Sequence, residues 1–141
     1  MTMQVAVLAF FLTVSAWGRT HKKSAETSPS GPEYVVALAT ANRFLHAWQT
    51  GDLADGIGLV SDGIRHAQTA GELERFFSAE TDRAFEIRAG HGNRGRYSFP
   101  LVLVTLKPVQ GSNGHQSVSR RSSEIILVNA GKDDWVVDKL P

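Results

Sequence analysis

Between Pro32 and Pro141 the spacing of the apolar residues changes once, from steps of three and four to strict alternation, and that change decides the fold class. In the first half Tyr34, Leu38, Ala41, Leu45 and Trp48 form one continuous stripe on a helix. Pro32 suits the first turn of that helix, where its missing N–H costs nothing, and Ser30 or Gly31 can cap it. Gly51 stops it, being suited to the left-handed position after a helix end, and Arg43 projects opposite the stripe. Asp52 caps a second, shorter helix through about Val60, with Leu53, Ile57 and Val60 inward. Gly56 and Gly58 weaken it, each by about 1 kcal/mol relative to alanine. Thr69 and Glu72 make a capping box for a third helix, whose buried face is Leu73, Phe76 and Phe77.

After Phe77 the period becomes two. Phe85, Ile87 and Ala89 alternate with Glu86 and Arg88, as in a half-buried strand. Residues 97–106 are apolar on both faces and read as a central strand, in which Pro100 requires a bulge or an unpaired edge. A third strand covers 123–129 around Ile125 to Val128, and a fourth covers 135–140 after the turn at 130–134. The segment 110–114 carries turn residues. Helices segregated before strands predict an α+β domain: three N-terminal helices packed on a curved antiparallel four-stranded sheet that they cover on one face.

The run from Val5 to Trp17 is apolar, uncharged and shorter than the roughly 20 residues that span a bilayer as a helix. Ala16 and Gly18 supply the small residues a signal peptidase accepts. Residues 1–18 therefore read as a signal peptide, although Arg19, Lys22 and Lys23 behind the run are also what a retained anchor would carry. A buried helix of the domain is the third reading. Residues 19–32 have no apolar period and read as a flexible tether. The expectation is an exported protein, periplasmic or extracellular in a bacterial envelope, that touches membrane only if 1–18 stays attached. The chain has no cysteine, which excludes disulfides, thiolate metal sites and cysteine nucleophiles. A formal net charge of +1 gives no bulk electrostatic case for nucleic acid.

Three stretches together resemble the NTF2-like superfamily. They are FLHAWQTGD at 44–52, closing the long helix in Gly-Asp, GELERFF at 71–77, and the closing strand WVVDKLP at 135–141. The resemblance covers 33–141 and implies a cone in which a bent sheet wraps the long helix. It implies little about activity, because members similar in fold include isomerases, dehydratases, cyclases and binding modules. Isomerase-like members carry an acidic base after the second helix. Here that stretch reads SDGIRHAQ at 61–68, with His66 and Ala67 where the carboxylate would fall. Homodimers joined through the sheet are also implied, and the apolar character of 99–106 permits one.

His66 is the sharpest catalytic candidate, since an imidazole titrates near neutrality and can act as a general base; a surface loop histidine is the plainer reading. Trp48, Tyr97 and Phe99 could line an apolar pocket, or simply pack the core. Arg83, Arg88, Arg94, Arg96, Arg120 and Arg121 concentrate in the sheet half, either to meet an anionic partner or as a solvated face. Asp52, Asp55 and Asp62 lack the alternation of a calcium loop, and the five histidines show no metal-binding helix spacing, so no metal is expected. No phosphate loop or nucleophile elbow occurs, and no cofactor is expected. The sequence thus favours a non-catalytic module for a small apolar ligand or a protein partner. The alternative is an isomerase- or dehydratase-type enzyme with His66 as base and Tyr97 as hydrogen-bond donor.

Overall fold

A computed structural model describes residues 31–78, 81–111 and 114–141. The signal-peptide segment 1–18 and all but the last two residues of the tether 19–32 lie outside the described residues. The fold is α+β: helices first, then a curved, unclosed antiparallel sheet.

Helix α1 (Pro32–Thr50) follows the sequence stripe closely. Tyr34, Ala41, Leu45 and Trp48 are buried, and Ala37, Phe44 and Ala47 widen the stripe. Gly31 is its N-cap, and Gly51 closes it at φ 76°, a left-handed angle that glycine adopts without steric cost. Helix α2 (Leu53–Gly58) begins at Asp52, whose carboxylate accepts the amide of Asp55. The Asp55 carboxylate in turn pairs with Arg43 on the outer side of α1. The capping box of α4 (Ala70–Phe77) is complete, with the Thr69 hydroxyl and the Glu72 carboxylate each accepting the other's backbone amide.

Among the described residues the expected three helices are four. The stretch expected to be a connection between the second and third helices contains α3 (Asp62–Ala67), capped by Ser61, whose hydroxyl accepts from the Ile64 amide at 3.3 Å. Its pattern escapes sequence reading because only Ile64 is buried, and Gly63 lowers its propensity.

The expected four strands are five: β1 (Asp82–Ile87), β2 (His91–Asn93), β3 (Arg96–Pro108), β4 (Gln116–Gly131) and β5 (Asp134–Lys139). They run in the order β1-β3-β4-β5, with β2 on the same edge of β3 as β1. Three residues with one glycine give β2 no alternation to detect, and its strand state comes from pairing His91 to Asn93 against Ser98 to Arg96. Strand β4 starts seven residues earlier than expected, at Gln116 instead of Ser123. Residues 116–122 are exposed and, apart from Val118, polar, and they extend only because β3 offers a partner out to Pro108. Strand β1 ends at Ile87, not Ala89. The Arg88 amide donates to the Pro100 carbonyl at 2.9 Å, but Pro100 has no N–H to return, so the ladder stops there. The β3–β4 register runs through Pro100 unbroken, opposite Glu124.

The inner face of the sheet presents Tyr97, Phe99, Leu101 and Leu103 from β3, Ile125 and Leu127 from β4, and Trp135 and Val137 from β5. These pack with the stripe of α1 and with Val60, Leu73 and Phe77 into one core. The connection after α2 is stitched to β5, the Ser61 amide donating to the Val137 carbonyl and the Val137 amide to that of Leu59, both at 2.8 Å. Among the described residues no helix lies on the other face of the sheet, where Val102, Val104 and Leu106 are half-exposed. Among the described residues no helix is long and apolar enough to cross a membrane.

Candidate functional site

One end of the fold is organised by Arg83. Its position follows from the alternation of β1, because Arg83 shares the inward parity of Phe85 and Ile87. Helices leave their last carbonyls without intrahelical partners, and here α1 and α4 both end beside this side chain. The guanidinium donates to the carbonyl of Trp48 at 2.9 Å, to that of Phe76 at 3.2 Å, and to that of Ser78. Its carbon lies 4.9 Å from the centre of the Trp48 ring, within cation–π range. Gln49 completes the clasp by donating to the Arg83 carbonyl at 2.9 Å. The result is a cation held rigidly at the negative ends of two helix dipoles.

Around it opens a cleft of about 460 Å³, lined by Trp48, Arg75, Ser78, Thr81, Arg83, Thr105 and Lys107. Arg75 comes from the last turn of α4, with its Nε donating to the Gly71 carbonyl at 3.2 Å. Thr105 and Lys107 extend the inner parity of Leu101 and Leu103 beyond the core. Among the described lining side chains three are cationic, none is acidic, and three carry hydroxyls.

Two other clefts are more evenly charged. One, of about 420 Å³, lies between Ser61, Asp62 and Arg65 on one side and Val128, Asp134 and Val136 on the other. There Arg65 pairs with Asp62 at 3.4 Å. The second, of about 230 Å³, lies over His91, Asn93, Arg96 and Ser98. Beside it the Glu124 carboxyl is held below its ordinary range, first by the hydrogen bond from Ser98 and then by that from Lys139.

The residues singled out in the sequence are dispersed. Trp48 lines the cationic cleft. Tyr97 and Phe99 are buried in the core and line none of the three clefts described. Tyr97 packs against Tyr34, Phe99 and Trp135 with ring centres 5.4–6.4 Å apart. Burial, and secondarily the charge of Glu33, pushes its hydroxyl above the usual phenol range. His66 is exposed in the last turn of α3, with Nδ1 2.6 Å from the Asp62 carbonyl. No hydrogen bond or ring contact among the described residues joins His66 to Tyr97. Nor do the described residues contain a group of three or more histidines and carboxylates that could hold a metal. Of the arginines, Arg83 and Arg121 share the inner parity of Leu103, whereas Arg120 pairs with Val104 and faces outward.

Sequence reading counted Arg83 among charges on a solvated or partner-facing surface and did not single out Arg75, Thr81, Thr105 or Lys107. The parity of β1 was the available signal for Arg83. Nothing local marks the others, which meet only because the C-terminal end of α4 lies beside the Arg83 side chain of β1. No protein-family model matches the chain, and no curated protein matches it either.

Proposed function

We propose that residues 33–141 form an NTF2-like domain of an exported protein, working as a non-catalytic binding module whose ligand sits in the cleft beside Trp48. The observation that carries this reading is the chemistry of the lining. Guanidinium groups stay protonated at any pH the protein meets, and hydroxyls donate and accept hydrogen bonds without an adjacent base. Such a set holds a ligand; among the described residues of the lining there is no histidine or carboxylate to shuttle a proton. A long helix cradled by a curved sheet supports the superfamily assignment, and an outer sheet face that no helix covers among the described residues supports a homodimer formed across it.

Native mass spectrometry of the mature protein, purified gently after export, tests the proposal. A bound mass of a few hundred daltons, roughly what a cavity of this class holds, is expected on the folded species and should be lost on denaturation. A bare polypeptide that still carries other protein subunits through purification would replace the ligand reading with that of an interaction scaffold. The same spectrum reports whether the mature chain begins at Arg19.

A further inference from the structure

The sheet is open along part of β4, and we infer that this edge takes an extended acidic segment of a partner protein as an added strand. Strand β4 runs beside β3 for its first thirteen residues, but β5 accompanies it only over 126–131. Among the described residues, then, no strand lies along the outer side of 116–125. The register with β3 is continuous there, and β4 contains no proline. In an antiparallel ladder successive residues turn their main-chain groups to opposite sides. The Asn129 amide donates to the Gly95 carbonyl at 2.9 Å, so odd-numbered residues of β4 face β3. Val118, Arg120 and Ser122 therefore turn their N–H and C=O groups away from β3, in the spacing that strand addition uses.

Open edges invite pairing, and folds that only need protection shorten, kink or block them. Here the edge is long and regular, and what it carries is charge of one sign. The sequence 107–123 holds Lys107, Arg120 and Arg121 and no aspartate or glutamate. The next acidic residue along β4, Glu124, is already held by Ser98 and Lys139. Arg120 stands near the middle of the open stretch on the outer face, while Arg121 turns inward and donates to the Pro141 carbonyl at 3.3 Å. Two copies joined edge to edge about Arg120 would set like charges directly opposite each other, which is destabilising. An acidic residue in that place is favoured for the same reason, so one side chain both rejects a second copy and selects the partner. Val118, 55% exposed, lies two residues away on the same face and adds an apolar preference. An antiparallel incoming strand thus sets an acidic residue against Arg120 and, two residues later, a β-branched one against Val118.

The test titrates the capped peptide TTETVTT into the ¹⁵N-labelled mature protein, with TTKTVTT and a copy N-methylated at its glutamate and valine as controls. The expected result is saturable shifts along 117–123. Amide exchange should slow at Val118, Arg120 and Ser122 but not at the residues between them, whose amides β3 already holds. The glutamate peptide should bind about tenfold more tightly than the lysine peptide, as opposite against like cross-strand charges imply. Arg120→Glu, a change at an exposed position, should reverse that preference, and the N-methylated copy should not bind. Equal binding of the two charged peptides would overturn the acidic assignment, and undiminished binding of the N-methylated copy would overturn strand addition. No shift with any peptide up to its solubility limit sinks the proposal. So does protection of the three edge amides in the free protein, which means a second copy if it depends on concentration and the chain's own residues if it does not. None of these outcomes bears on the cleft beside Trp48, since none of its described lining residues belongs to β4.

Discussion

At the scale of single residues, the behaviour of Arg83 and Trp48 follows from what each leaves behind when removed. Trp48 is 5% exposed and wedged between the core and the Arg83 guanidinium, so Trp48→Ala opens a large cavity. The expected loss is about 3–5 kcal/mol, read as a lowered midpoint in denaturant unfolding with an unchanged slope. A midpoint near that of the wild type would put Trp48 outside the core. For Arg83 the informative substitution is Arg83→Lys, because a single ammonium on a flexible stem cannot reproduce a planar fork spanning three carbonyls. A clear loss of stability is expected despite the retained charge; full rescue by lysine would reduce Arg83 to a point charge. Glu72 supplies a pH dependence. The backbone amide of Thr69, and then its hydroxyl, hold the Glu72 carboxyl below the ordinary carboxylate range. A depressed carboxyl contributes stability above its unfolded pKa of about 4.3 and loses it as the pH falls through the lower folded value. Glu72→Gln should therefore lower the neutral plateau and flatten the acid limb below about pH 4.3, because the contribution that the wild type loses there is already missing from the variant. An acid limb identical in slope to that of the wild type would show that the capping box is not formed in solution.

At the scale of elements, α2 separates intrinsic propensity from packing. Its two glycines look alike in the sequence, and both lower helix propensity. A Cβ at Gly58 would meet nothing within 4 Å, whereas one at Gly56 would lie 2.2 Å from the ring of Phe77. That ring is 1% exposed and locked against Phe44 and Phe76, so it has nowhere to move. Gly58→Ala should then stabilise the protein by up to about 1 kcal/mol, the propensity difference alone. Gly56→Ala should destabilise it by about 1–3 kcal/mol through overpacking between α2 and α4. Thermal or denaturant melts of the two variants decide it, and shifts of the same sign would contradict the close approach. Element identity was legible wherever a side-chain pattern existed: the stripe of α1, the capping box of α4, the alternation in β1 and the apolar run of β3. It was illegible in α3, β2 and the first seven residues of β4. A single inward residue, a glycine-bearing triplet and a polar run carry no period, so partners elsewhere in the chain determine their conformation.

At the scale of the whole molecule, the proposed homodimer rests on the sheet face that no helix covers among the described residues. Val102, Val104 and Leu106 lie half-exposed across it beside Val118, which is 55% exposed, and a homodimer would remove them from water. Sedimentation of the mature protein should show a concentration-dependent shift towards twice the monomer mass, reversed by Val104→Lys at the centre of the strip; a monomer at all concentrations would sink the dimer. The sequence alone determined the helices-then-strands order, the ends of α1 and the inward set of the core, because periodicity and capping are local consequences of backbone geometry. It did not determine which polar residues meet. Trp48, Arg75, Arg83 and Lys107 come from two helices and two strands, and only the packing of α4 on α1 and α2, with its end beside Arg83, draws them around one cleft. Tyr97 and Phe99, equally plausible as pocket walls from their residue types, were sent to the core by the parity of β3 and the closeness of Tyr34. Burial and local pattern are written in short stretches of chain, whereas a binding site depends on distances between stretches, and those are set by tertiary packing.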